Sequence, residues 1–267
     1  MIEIERIEPG LLGKVSRLLV DIDDTLSTHG KLTAGAFSAL WRLYEAGIDV
    51  AVVTGRPAGW CDHIARFWPV KAVIGENGAF YFFHDGKKLC QRFVYAAKDR
   101  QLFRDKLNIV RDEILRQVPG SALASDQPYR ESDVAIDFCE DVPRLDWREI
   151  LRIKSIFEKA GAHAKISSIH VNGWFGEFDK LSTARLWASE RLNSDLEKEA
   201  DTYVYCGDSP NDEPMFRFFP LSFGVANVRP FLSRMAYPPA FICQEECGAG
   251  FSQVVEKILA VRCAVRS

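Results

Sequence analysis

Three carboxylates fall within four residues at Asp21, Asp23 and Asp24, directly after the apolar run Leu18-Leu19-Val20 and just before Thr25. Such a run reads as a buried strand, and its carboxyl end must open onto a polar site, because uncompensated buried carboxylates are costly. A hard divalent cation with oxygen ligands would compensate them, and Mg2+ is the plainest choice. With a cation in place a carboxylate can attack phosphorus, since the ion offsets the repulsion between two anions. The same residues also suit a strand end followed by an Asp-rich turn, in which Asp23 and Asp24 bond only to local backbone.

Three further segments share the logic. Residues 48–53 form an apolar strand that stops at Thr54-Gly55-Arg56, Asp179-Lys180 opens a helix-like stretch, and Tyr203-Val204-Tyr205-Cys206 runs into Gly207-Asp208-Ser209-Pro210-Asn211-Asp212. The order DIDDT, VVTGR, the lysine of FDK and GDSPND resembles that of the haloacid dehalogenase superfamily of aspartate-nucleophile phosphohydrolases, and the likeness covers nearly the whole chain. It implies Asp21 as nucleophile, forming an aspartyl-phosphate that water then cleaves. It implies Asp23 as general acid and then base, with its backbone carbonyl on the metal. Asp24 stands where glycine is more usual and reads as a turn residue. Thr54, helped by the Gly55 N–H, takes the place of a donor to the phosphoryl oxygens, a role compatible with capping the next helix. Lys180 neutralises charge on Asp21 and the transferred group. Asp21, Asp208 and the Asp23 carbonyl are the implied Mg2+ ligands. Asp212 orients Lys180 or metal-bound water, and Asn211 bonds the phosphate or caps the following turn. Arg56 is left open between steering an anionic substrate and pairing with a core carboxylate.

The elements that position these residues follow from hydrophobic period. Strands over residues 18–22, 48–53 and 72–74 alternate with helices over 33–46 and 57–68, the first presenting Phe37, Leu40, Trp41 and Tyr44 on one face and ended by Gly47. Continuous apolar strands alternating with helices imply a parallel sheet covered on both faces, with ligands at the carboxyl ends of the strands. The expected class is therefore α/β, a doubly wound, Rossmann-like parallel-sheet core. After Gly75-Glu76-Asn77-Gly78, where Glu76 and Asn77 read as turn residues, the texture changes. Residues 79–83 and 89–95 flank a hairpin turn, helices are expected over 101–117 and 147–160, and strands over 134–138 and 164–171. This resembles the α+β cap of the Cof-type and sugar-phosphatase branch. The expected division is a core of 1–83 and 175–267 with a cap of 84–174.

Cap residues carry weaker signals. The Arg130 guanidinium could clamp a carboxylate or a hydroxyl-rich ligand, and the pair Arg130-Glu131 is similar to pairs in mannosyl-3-phosphoglycerate phosphatase-like proteins. His170 and Asn172 share one face of a strand and could face the crevice, although a lone histidine there also suits a structural hydrogen bond. Trp60, Phe67, Trp68 and Trp174 read as packing residues.

Composition narrows the classes. A net charge of -3 lacks the basic footprint of a nucleic-acid binder, and 47% hydrophobic with 27% charged residues is ordinary for a soluble globular chain. No apolar run reaches a membrane span, and the charged start Met1-Ile2-Glu3-Ile4-Glu5-Arg6 lacks a signal-peptide layout. The seven cysteines form no CxxC pair and suit a reducing compartment. The expectation is a cytoplasmic, Mg2+-dependent phosphatase of a small phosphorylated metabolite, a sugar phosphate first, with no nucleic-acid or membrane partner. A phosphomannomutase-like phosphotransferase and a non-catalytic binding protein on the same scaffold are the alternatives. Oligomeric state is not legible.

Overall fold

In the computed structural model, which describes residues 1–167 and 169–266, the run ending at Asp21 forms the strand Arg17–Val20 at the centre of a nine-stranded sheet. Across that sheet the order is Ile2–Glu3, Phe241–Ile242, Ser222–Gly224, Tyr203–Gly207, Arg17–Val20, Asp49–Val53, Ala72–Gly75, Phe80–His84 and Leu89–Phe93. The first seven pair in parallel, and the last two add an antiparallel hairpin. Alternation explains why the strands are apolar throughout. Leu18, Val20, Val50 and Val52 pack on one face against Leu40 and Leu43 of helix Ala34–Glu45 and Val254 and Ile258 of helix Cys247–Arg266. Leu19, Ala51 and Val53 pack on the other against Ala184 and Trp187 of helix Lys180–Leu192. The expected doubly wound α/β core is the observed one.

A second, four-stranded antiparallel sheet, ordered His163–Ile166, His170–Trp174, Asp133–Asp137 and Ala122–Leu123, carries helices Ala97–Gln117 and Trp147–Lys159. Its own core gathers Leu107, Ile114, Val134, Ile136, Phe157 and Val171.

Three expectations need correcting. The hairpin Phe80–His84/Leu89–Phe93 extends the large sheet, so the smaller unit begins beyond Phe93 rather than at residue 84; Phe80 and Phe82 stack there in the core, and Phe93 meets Phe82 edge-on. The stretch 164–171 is two antiparallel strands, not one, paired Ile166 to Val171. Helix Ala34–Glu45 buries Ala36, Ala39, Leu40 and Leu43, while Trp41 and Tyr44 point outward and pack edge-on against each other. Bulk led that reading astray: the small alanines, not the large aromatics, mark the buried stripe.

Candidate functional site

All four motifs end at one edge of the large sheet. Asp21 leaves strand Arg17–Val20 with its N–H on Cys206 O at 3.0 Å, Thr54 leaves Asp49–Val53 with its N–H on Ile74 O at 2.8 Å, and Asp208 follows Tyr203–Gly207. Lys180 comes from a distant segment by a local device. Asp179 caps helix Lys180–Leu192, accepting from Ser182 N at 2.6 Å, so Lys180 is its first residue. Gly78 lies flat against that peptide: a Cβ there would come within 2.1 Å of Asp179 O, and its φ of +110° is one few other residues adopt.

Lys180 Nζ donates to Asp21 Oδ1 at 2.8 Å and Asp212 Oδ1 at 2.7 Å, all three groups buried. Asp212 is saturated. Its Oδ1 also accepts from Tyr205 Oη at 2.6 Å, and its Oδ2 accepts from the N–H groups of Asp208 at 3.0 Å and Ser209 at 3.3 Å. The loop curls back so tightly that a Cβ on Gly207 would lie 2.5 Å from Asp212 Oδ2. Asp212 therefore holds Lys180 and the 208–209 turn in place.

Carboxylate oxygens of Asp21, Asp208 and Asp212 lie within 4.8 Å of one another, with one ammonium among them. Burial pushes the Asp21 carboxyl up to about 8 against the pull of Lys180, and burial, reinforced by Asp212 and Asp21, drives Asp208 well above the usual range. Burial works to lower Lys180, but the two carboxylates outweigh it and hold its pKa above the ordinary value. An acidic cluster this short of positive charge fits a hard divalent cation. Because Asp212 is saturated, the free ligand capacity belongs to Asp21 and Asp208.

Thr54 is fully buried and accepts the Arg56 N–H on Oγ1 at 3.0 Å. Gly55 and Asn211 line the same crevice as Asp21, Asp23 and Asp208, and Asn211 Oδ1 accepts from Ser209 Oγ at 2.7 Å. The open question over Arg56 resolves toward pairing. Its Nε donates to both Asp23 oxygens at 2.9 and 3.1 Å, its Nη2 to Glu140 at 3.0 Å, and its guanidinium lies over the Trp60 ring at 4.5 Å. Glu140 reaches down from the smaller unit because Asp137, at its strand end, accepts the N–H groups of Cys139, Glu140 and Asp141.

Arg130 and His170 both line the crevice, but neither is available in the way the sequence suggests. Arg130 is buried and spans Asp126 (3.0 and 3.1 Å), Asp133 (3.0 Å) and Gly55 O (2.9 Å), which makes it a tie between the two sheets. The likeness to mannosyl-3-phosphoglycerate phosphatase-like caps thus loses the residue that carried it. His170 Nε2 lies 2.9 Å from Glu140 Oε2, off the hydrogen-bond line, and Asn172 donates to Asp133 Oδ2 at 2.9 Å.

Sequence reasoning missed several residues. Glu76, read as a turn residue, is fully buried and accepts four backbone N–H groups, from Ala58 (3.0 Å), Glu131 (2.8 Å), Ser132 (2.5 Å) and Asp133 (3.2 Å). Burial, with Asp133 beside it, pushes its carboxyl up to about 8 against Arg130 and those donors. Thr25 donates to Asp208 Oδ1 at 3.2 Å, and Asn227 donates to Asp24 O at 2.9 Å, steadying the left-handed turn at φ +56°. Tyr205 had a signal: a tyrosine inside an otherwise aliphatic strand must bring its hydroxyl to a partner.

Residues 18–104, which carry the first two motifs, match a family model described as haloacid dehalogenase-like hydrolase. No curated protein matches the sequence. Among solved structures the fold is similar to that of Thermoplasma acidophilum 0175 (TM-score 0.69, 17% identity, 92% of this chain and 98% of that one). It is also similar to a haloacid dehalogenase-like hydrolase from Bacteroides thetaiotaomicron (0.62, 16%, 91% and 99%). A third is the sucrose-phosphatase from Synechocystis, solved with sucrose and phosphate (0.63, 15%, 92% and 97%).

Proposed function

We propose that the chain is a Mg2+-dependent phosphomonoesterase of a small phosphorylated metabolite, with a sugar phosphate the first candidate. The observation that carries this is the Asp21–Lys180–Asp212 contact beside Asp208, which holds one carboxylate oxygen by an ammonium at the mouth of the sheet. A sucrose-phosphatase and a trehalose-6-phosphate phosphatase related protein among the structures of similar fold support the class. Asp21, Asp208 and the Asp23 carbonyl are the proposed metal ligands. Bound there, Mg2+ would offset repulsion between substrate and carboxylate.

An Asp21 oxygen attacks phosphorus as the bond to the leaving oxygen breaks, and Asp23 gives its proton to that oxygen. Asp23 then takes a proton from water, whose oxygen attacks the aspartyl-phosphate, releasing inorganic phosphate and free Asp21. Lys180 faces the charge that builds on Asp21 and the phosphoryl group, and the Thr54 hydroxyl is left to donate to a phosphoryl oxygen. The unit built on the four-stranded sheet acts as the cap, tied over the crevice through Glu76, Arg130 and Arg56. The fit of intact Asp21, Lys180 and Asp208 to this chemistry speaks against a merely binding role.

The test is phosphate release with Mg2+ from a panel of phosphorylated metabolites, wild type against Asp21→Asn. Loss of turnover in the variant is expected. Release of no phosphate by the wild type, or undiminished release by the variant, would refute the reading. Isomerised sugar phosphate in place of free phosphate would point to a phosphotransferase.

A further inference from the structure

The crevice that holds Asp21 and Asp208 has only about 20 Å³ of open space, on the order of one water. Room for the rest of a substrate must lie next door. Asp23 and Arg56 also wall a separate cavity of about 590 Å³, lined by Ile22, Leu32, Trp60, Ile64, Trp68 and Tyr129. It lies between the loop after the first motif, helix Ala58–Phe67 and the smaller unit, which contributes Tyr129. Another neighbouring cleft, about 280 Å³ with Arg144, Lys154, Lys165 and Arg234 on its walls, meets the crevice at Ser209 and Asn211 and lacks Asp23.

We propose that the larger cavity seats the leaving group, and that the enzyme favours phosphomonoesters whose alcohol carries a ring with an apolar face close to the phosphate. This rests on the phosphatase reading, because Asp23 must meet the leaving oxygen and only the larger of the two cavities includes it. The walls supply contact area rather than hydrogen bonds. Trp60 is 42% and Tyr129 61% exposed, large aromatic faces of the kind a ring ligand covers. Trp60 is steadied by Arg56 at 4.5 Å, so the platform is fixed to the group that orients Asp23. Three polar groups on the walls are already engaged: Ser27 Oγ accepts from Asp24 N at 3.2 Å, and Arg56 is bonded to Asp23 and to Glu140. An extended polyhydroxylated chain would find few partners there. An aromatic ring and the C–H face of a pyranose share the chemistry that fits.

The experiment compares kcat/KM for ethyl phosphate, 2-phenylethyl phosphate and glucose 6-phosphate, three alkyl esters, so the size and face of the leaving group differ more than its reactivity. At least one ring-bearing ester should exceed ethyl phosphate about tenfold or more, as burial of a ring face predicts, and the better of the two tells aryl from pyranose. Trp60→Ala and Tyr129→Ala should each cut that ratio several-fold, while Trp147→Ala, an exposed aromatic outside this cavity, should leave it unchanged. Because Tyr129 is exposed, its variant tests the idea even if Trp60→Ala folds poorly. Equal hydrolysis of all three esters, or a preference that survives both variants, overturns the inference and leaves the phosphatase reading standing. No hydrolysis of any ester overturns both.

Discussion

Replacing Asp208 by asparagine should make the metal-free protein more stable, against the general rule that changes at buried polar positions destabilise. Carboxylate oxygens of Asp21, Asp208 and Asp212 lie within 4.8 Å of one another, and Lys180 is the ammonium among them. At an effective dielectric near 20, two unit charges at that separation repel by about 3 kcal/mol. Asp208 faces two such partners, one of them Asp21, which burial already biases toward its neutral form, and attraction to Lys180 offsets less than either. Part of the remainder is already relieved, because burial and the neighbouring carboxylates raise Asp208 well above the ordinary carboxylate range. A net gain of about 1–3 kcal/mol remains, or a rise in Tm of about 2–8 °C for a chain of this size. The amide keeps an oxygen for the Thr25 hydroxyl, so that contact is not sacrificed. The assay is thermal melting in EDTA and again in millimolar Mg2+. Wild type should gain about 3 kcal/mol once the ion exceeds its dissociation constant a hundredfold, and Asp208→Asn should gain little. A variant that melts below wild type in EDTA, or that responds to Mg2+ as wild type does, would refute the picture of a repulsive carboxylate pair awaiting a cation.

Arg130→Met should destabilise by about 3–5 kcal/mol, since it strands the buried Asp126 and Asp133 carboxylates, and urea titration would measure it. Gly78→Ala should cost both stability and turnover, because its Cβ would drive into Asp179 O and displace Lys180; a melt and a kcat on the same preparation check this, and wild-type values for both would count against that placement. Glu140 is held down to about 2 by the His170 contact and by Arg56, below its ordinary 4.5, so its stabilising contribution is complete above pH 4.5 and is lost as pH falls toward 2. With its side chain 30% exposed, the contribution is discounted to about 1–2 kcal/mol. Glu140→Gln should flatten the acid limb of the stability–pH curve by that amount.

How much of this was legible in the sequence depends on how local each signal is. Asp21, Thr54 and Asp208 could be placed because an apolar run that stops at a polar residue marks a strand end, and parallel strands gather their ends. Lys180 could be placed through the capping residue before it and its likeness to a known motif. Glu76 could not. Its partners are backbone N–H groups at residues 58 and 131–133, which carry no side-chain signature, and the glutamate itself looks like any turn residue between Gly75 and Gly78. Arg130 failed for the opposite reason: its type advertises a clamp, but what it clamps was decided by Asp126 and Asp133, four residues back and three on, whose directions depend on the fold.

The misreading of Arg130 bears on how the two sheets relate. Glu76 and Arg130 interlock, the carboxylate taking N–H groups from 131–133 while the guanidinium reaches Gly55 O beside Thr54. Arg56 supplies a second tie, from Asp23 to Glu140. Opening would cost Glu76 its three bonds from residues 131–133, Arg130 its bond to Gly55 O and Arg56 its bond to Glu140, while Arg130 keeps Asp126 and Asp133 and Arg56 keeps Asp23. Both ties act between the cap and the loops that bear Asp23 and Thr54. Any movement of the smaller unit large enough to open the crevice would therefore tug on the loops that bear Asp23 and Thr54, whereas entry through the aromatic cavity beside Asp23 would leave both ties intact.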